Sequence, residues 1–347
     1  MKIENLIISE IKKKGEISLD KFIEICLYGD QGYYIKKNPI GINNDFITAP
    51  EISQMFGEII GIFFINYWKE KFKTEFNLIE LGPGNGTLIS DIIRTSSINK
   101  SFVKAAEITL IEKNINLINH QKKILNKINF KKANWNSDFK FKNNKPSIIY
   151  SNEFFDCFPV KHFYKKTDWY EKFIQYDLNN KMFKFVPKQV DDDNVLQYLQ
   201  YFNNSKIAEV SKSRNDYFNM VCKFIRKNKG IFFTIDYGYN IPPKEFSLQA
   251  IYKHKKTHLF ENLGKQDITA HVNFGELIDI AKKNKLNIDF YCTQKDFLMS
   301  LGIKERKEKL QKNKSKKNIE NIQFDYERLV SDSQMGELFK VLLVSCF

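Results

Sequence analysis

Three glycines, Gly82, Gly84 and Gly86, sit close together in the stretch LIELGPGNGTL. Glycine lets a turn take positive φ and lets the backbone approach a ligand closely. An apolar run precedes this turn and a helical one follows. Free N–H groups at the start of that helix therefore face whatever the turn holds. A dinucleotide site needs its third glycine three places after the second. Here that place is Thr87, and the third glycine comes one residue early, at Gly86. The Gly-Lys-Ser/Thr of a phosphate-binding loop is absent. Glu80 stands just before the turn and Pro83 lies within it. A carboxylate there suits a cationic group such as the ammonium of a methionine moiety, and would repel a pyrophosphate. Glu112 ends the next apolar stretch, EITLIEKN. From that place a carboxylate can accept hydrogen bonds from both ribose hydroxyls. The set of glycines and two acids points to S-adenosylmethionine as cofactor.

A second group of residues could act on an acceptor. Asn152, Glu153 and Asp156 follow directly on the apolar run of SIIYSNEFFDCFPV. In a doubly wound sheet this is where a third strand end meets the ligand crevice. Charged groups in so apolar a setting need partners. Asp156 reads alternatively as a helix cap, and Asn152 as a loop residue that also reaches the cofactor. Trp135 either stacks on adenine or is buried in packing. His271, in DITAHVNF, is a proton acceptor, a substrate-positioning group or a structural hydrogen-bond donor. His254 and His258 lie four apart but lack the acidic residue of a HExxH helix, so no metal site is expected.

The elements that must position these groups follow from hydrophobic period. Strands are expected at Asn77–Leu81, Glu107–Glu112, Ser147–Ser151, Gly230–Asp236, Leu286–Thr293 and Phe339–Ser345. Helices are expected at Thr87–Arg94 and Ile115–Ile128. Strands alternating with helices imply a parallel α/β sheet. Ahead of it, residues 1–28 read as two short amphipathic helices split by Gly15, the second starting near Ser18. Gly29–Phe46 reads as a long loop rich in Gly, Asn, Asp and Tyr. One long helix is expected next, capped by Thr48, with Pro50 in its first turn, Glu51 completing a capping box, and its period running to Trp68. Tyr33, Tyr34 and Asp45 on the loop, with Thr48, Pro50, Glu51, Ser53 and Gln54 on the helix, read as a lid that shapes the substrate groove. The resulting division is an N-terminal helical lid over residues 1–74 and a cofactor-binding domain over 75–347. Insertions interrupt that domain at about 160–225 and 240–275.

Composition narrows the class. The 347 residues carry 55 Lys and Arg against 41 Asp and Glu, a net charge of +14. These charges are dispersed, apart from one dense run, KERKEKLQKNKSKK at Lys304–Lys317, which reads as a solvated face. Nucleic-acid binding is therefore not the favoured reading. The abundance of Phe, 31 residues spread evenly, is taken as a compositional habit. Five cysteines with no CxxC pair argue against a disulfide framework or zinc site and for a reducing compartment. The first seventeen residues lack the form of a signal or transit peptide. The longest apolar stretch, Ile59–Trp68, is far short of the ~20 residues that span a bilayer. A cytoplasmic protein without membrane insertion is the expectation.

The chain resembles the MidA-like methyltransferases, whose mitochondrial members assist assembly of respiratory complex I. The resemblance runs through GDQGYY (Gly29–Tyr34), DFITAPEISQMFGE (Asp45–Glu58), LIELGPGNGTL, NEFFDCFPV, EVS (Glu209–Ser211), IDYGY (Ile235–Tyr239), DITAHVNF and MGELFKVL (Met335–Leu342). It implies a Rossmann-like α/β methyltransferase fold. Its seven-stranded, mostly parallel sheet would have Phe339–Ser345 as an antiparallel last strand beside Gly230–Asp236. It further implies symmetric dimethylation of an arginine in an NADH dehydrogenase subunit. This chain departs at GINNDF, at Asn85 and at Asn273, where relatives commonly carry other residues. For an arginine acceptor, Glu153 and Asp156 would hold the guanidinium through bidentate hydrogen bonds, with Asn152 orienting. Two other readings stay open. A nucleic-acid methyltransferase would want Asn/Asp-Pro-Pro-Tyr where this chain has Asn152-Glu153-Phe154-Phe155. A non-catalytic assembly factor would use the cofactor only structurally.

Overall fold

The computed structural model describes residues 2–36, 41, 47–141 and 144–347. Its centre is an eight-stranded sheet. Seven strands run in one path: β1 (Phe76–Leu81), β2 (Ala106–Ile111), β3 (Ala133–Asn136), β4 (Ser147–Asn152), β5 (Gly230–Tyr239), β6 (Asn287–Thr293) and β7 (Phe339–Cys346). Their order across the sheet is β6-β7-β5-β4-β1-β2-β3. The pairs from β5 to β3 are parallel. β7 lies antiparallel between β5 and β6. The eighth strand, the short Val272–Asn273, pairs with the end of β5. The α/β sheet with an antiparallel last strand beside β5 is thus as the sequence indicates.

Every residue of β1 is buried. Side chains alternate across a strand, so β1 feeds two cores. Phe76 and Leu78 join one cluster with the helices Gln54–Lys71 and Thr87–Thr95. Ile79 and Leu81 join the other, with Lys212–Asn228 and Phe274–Lys283. Chain order runs from β1 toward β2 on one side, and from β4 toward β5 on the other. The crevice at the carboxyl ends of β1 and β4 is therefore a topological switch point, where doubly wound sheets hold ligands.

The N-terminal helices Ile3–Lys14 and Leu19–Tyr28 form as read, with Ser18 at the second N-cap. They pack in a third core with Val160, Ile174 and Ile268. Residues 161–210 supply most of a separate antiparallel sheet, joined by Ile17–Ser18. The basic run Lys304–Lys317 is not one helix or loop. It spans two helices, Ile303–Gln311 and Lys316–Val330, and Arg306 bonds Glu58 at 2.7 and 3.1 Å. Among the described residues, no helix is long and apolar enough to cross a membrane.

The expected single helix from Thr48 is broken. Ala49–Ile52 is one short helix and Gln54–Lys71 another. Ser53 is extended between them (φ −156°, ψ 138°), and its hydroxyl accepts from the Met55 N–H at 3.3 Å. The hydroxyl competes locally for a backbone donor, which favours a cap over a helix interior. Thr48 makes no side-chain cap bond, and Glu51 accepts a hydrogen bond from Thr87 instead of closing a capping box. The loop expected from Gly29 also contains structure, a helical turn at Tyr33–Lys36.

Candidate active site

A cavity of about 640 Å³ opens at the carboxyl ends of β1, β2 and β4. The glycine turn forms its floor. Gly82, Gly84 and Gly86 all have positive φ, at 63°, 53° and 82°. A Cβ on Gly82 would come within 2.6 Å of the Phe154 ring, so the turn needs glycine twice over, for conformation and for space. The Gly82 N–H donates to the Ile111 carbonyl at 3.1 Å, which ties the turn to the end of β2. Gly86 is the N-cap of Thr87–Thr95.

Two of the expected acids line this cavity beside the turn. Glu80 is 2% exposed and accepts from the Tyr150 hydroxyl at 3.1 Å. Burial pushes its pKa up to about 8. Glu112 accepts from the backbone N–H groups of Lys113 and Asn114, both at 2.8 Å. Burial raises its pKa, against the pull of those amides.

Glu153 and Asn152 form the third wall. Glu153 has φ of 50°, outside the usual range for a side-chain-bearing residue. Its N–H donates to the Ile235 carbonyl at 2.9 Å, which holds the sharp turn after β4. One carboxylate oxygen accepts from the Ala49 N–H and from the Asn152 side chain, each at 3.0 Å. Glu153 thus supplies the cap that Thr48 does not. Burial pushes its pKa up to about 8.

The lid residues divide. Tyr34, Thr48, Pro50 and Glu51 line the cavity, joined by Tyr28 and Cys157. Tyr34 stacks on Tyr28 with ring centres 5.7 Å apart, and donates its hydroxyl to Asp267 at 2.8 Å. Its carbonyl accepts from Asn114 at 2.7 Å, linking lid to β2. Tyr33 is buried in the N-terminal core instead. Gln54 is exposed and Ser53 caps a helix; neither lines the cavity. Asp45 lies outside the described residues.

Three candidates stand elsewhere than expected. Trp135 does not line the cavity; its indole N–H donates to Gln121 at 2.8 Å and its ring packs on the core. The ring emerges on the sheet face of the first core, not toward the crevice. His271 is also off the cavity, edge-on to Tyr237 at 5.6 Å, and burial lowers its pKa. Asp156 is 7% exposed and lies behind Glu153, where it accepts from the Tyr237 hydroxyl. Burial raises its pKa to about 6, opposed by that hydrogen bond.

Asp236 escaped the sequence reading. One of its oxygens accepts from the N–H groups of Phe154, Phe155 and Asp156 at 3.1, 2.9 and 3.3 Å. It thereby shapes the turn that carries Glu153. The signal was available: Asp236 stands near the end of an apolar strand, as Glu80 does.

The site fits S-adenosylmethionine on its own terms. Gly82 and Gly84 of the turn line the cavity, carboxylates stand at two strand ends, and Asn152 Oδ1 is buried without a hydrogen-bond partner. The family model for S-adenosyl-L-methionine-dependent methyltransferases matches residues 59–292. Human "Protein arginine methyltransferase NDUFAF7, mitochondrial" is 29% identical over 358 residues, covering 95% of this chain and 80% of its own. The Caenorhabditis elegans homolog, likewise named mitochondrial, is 27% identical over 367 residues, covering 97% and 85%. A Burkholderia thailandensis protein solved with S-adenosyl-homocysteine shares the fold, with a TM-score of 0.86 at 21% identity over 99% of this chain and 92% of its own.

These relatives overturn the cytoplasmic expectation, since both named here are mitochondrial. Ile3, Ile7 and Ile11 are buried in the folded core, so their spacing reports packing and does not bear on location. The matched model, the sheet order and the glycine-turn cavity together place the chain in the MidA-like family of S-adenosylmethionine-dependent methyltransferases.

Proposed function

We propose that the chain methylates an arginine of a protein partner, with symmetric dimethylation of a respiratory complex I subunit during assembly as the specific reaction. The relatives' names as protein arginine methyltransferases support the acceptor class. The observation that carries the reading is Glu153, a carboxylate fixed at the switch point and facing the cavity.

S-adenosylmethionine supplies a methyl group on a sulfonium, open to in-line attack. The chain's own residues do the positioning. Glu80 and Glu112 hold the cationic and ribose parts, with the Gly82–Gly86 backbone between them. A guanidinium is protonated at neutral pH, with a pKa above about 12. Glu153 holds it by charge-assisted hydrogen bonds and draws its charge away from the attacking nitrogen. As the N–C bond formed, the methyl–sulfur bond would break to leave a neutral thioether, and the nitrogen's proton would pass to the Glu153 carboxylate. Asp156 and Asp236 act behind it, through the turn and through Tyr237, not on the acceptor. Tyr34, Thr48, Pro50 and Glu51 exclude water and fix the approach.

The test is transfer of labelled methyl from S-adenosylmethionine to purified complex I subunits, followed by mass spectrometry of the modified residue. Wild type should label an arginine. Glu153→Gln should not, while binding S-adenosylhomocysteine within a few-fold of wild type by calorimetry. Full turnover by Glu153→Gln would remove Glu153 from the mechanism. Label on another residue type would end the arginine reading.

A further inference from the structure

Gln121 lies in the middle of the helix Ile115–Lys127 and is 0% exposed. A side-chain amide so deeply buried must have its donors and acceptor met. Its nitrogen donates to the Gly84 carbonyl at 2.8 Å. Its oxygen accepts from the Trp135 indole N–H at 2.8 Å. The directions are forced. Trp135 can only donate, and a carbonyl can only accept. The amide therefore has one orientation and cannot flip. Gly86 rests on the same residue: a Cβ there would sit 3.1 Å from Gln121 Cγ.

We propose that Gln121 is a positioning residue for cofactor recognition, holding the glycine turn rigid at Gly84. The inference rests on reading the glycine turn and Glu112 as the cofactor site. One amide links the middle of the turn, at Gly84, to strand β3, at Trp135. Trp135 is the outer brace that fixes the amide, which explains an indole at this place without any contact with adenine. Free of this link, the Gly84 peptide would have to be ordered at the moment of binding. Preorganisation removes that cost.

Glu is nearly the same shape as Gln, but its ionised form only accepts. Gln121→Glu therefore sets a carboxylate against the Gly84 carbonyl. Protonation of the introduced carboxylate would restore one donor. The experiment is calorimetric titration of the full chain with S-adenosylhomocysteine at pH 8 and pH 6, for wild type, Gln121→Glu, Trp135→Phe and Glu112→Ala. The expected result is about tenfold weaker binding by Gln121→Glu at pH 8. The ratio to wild type should narrow at pH 6, a recovery that general loosening of the fold would not give. Trp135→Phe, which removes only the orienting N–H, should weaken binding about threefold at both pH values. It also serves as the test if Gln121→Glu does not fold. Wild-type affinity in the Gln121→Glu and Trp135→Phe variants, with Glu112→Ala weakened, overturns the role of Gln121 alone. Wild-type affinity in Glu112→Ala overturns the ribose reading, and this inference falls with it.

Discussion

At the scale of single residues, Glu153 combines an uncommon backbone angle, a buried carboxylate and a place on the cavity wall. Its pKa of about 8 gives a sign to the pH profile. Below that pH the free enzyme holds a proton that a guanidinium must displace. For wild type, kcat/KM should therefore fall as pH drops from about 8. Stopped-time assays across pH 6–9 would show it; a flat profile speaks against Glu153 as the guanidinium's partner. Gly82→Ala puts a Cβ into the Phe154 ring at φ 63°. It should cost about 1–3 kcal/mol of stability, read by urea melts, and remove S-adenosylhomocysteine binding. The place of Gly82, Gly84, Glu80, Glu112 and Glu153 on the cavity wall was legible in the sequence because each stands at or just past the end of an apolar strand. Trp135, His271 and Asp156 were misplaced because sequence gives a residue's position along the chain but not the side on which its ring or carboxylate emerges. Gln121 had no signal beyond being a polar residue on the buried face of a helix.

At the scale of elements, β1, β2, β4, β6 and β7 were legible to within a residue, but β5 runs three residues past its expected end, and β3, a part-exposed edge strand with no apolar run, was not foreseen. The break in the lid was not legible. A run of apolar residues at helical spacing concealed the break at Ser53, where a hydroxyl takes the Met55 N–H. The short helix Ala49–Ile52 so released is held by Glu153 at Ala49 and by Thr87 at Glu51, one anchor on each side of the cavity. The following helix is pressed close against Thr87–Thr95. A Cβ on Gly57 would lie 2.5 Å from Asp91 Cβ, an approach that only glycine permits. Gly57→Ala should force the two helices apart and cost about 1–3 kcal/mol. Chemical denaturation would measure this, and an unchanged midpoint would mean the pair can slide without loss.

At the scale of the whole molecule, a chain of net charge +14 keeps a cavity walled by buried carboxylates. Glu80, Glu153 and Glu276 all have pKa values raised to about 8 by burial. The folded protein therefore holds protons that the unfolded chain releases, from the ordinary carboxylate range up to about pH 8. The unfolded state binds fewer protons there, so stability falls as pH rises through that window. Between pH 6.5 and 8.5 the ligand-free protein should lose melting temperature, and Glu80→Gln should flatten the slope. A melting temperature that climbs over that interval would contradict the burial argument. The position of β7 has a separate consequence, for the time at which the molecule comes into being. β7 pairs with both β5 and β6. On the ribosome, β5 emerges about a hundred residues before the strand that covers its edge. Until residue 346 has left the tunnel, the Phe-rich flank of β5 is an open template for any other strand, and β6 has nothing to pair with. A growing chain of this fold thus has a window of exposure set by translation speed, in which that edge is free to pair wrongly.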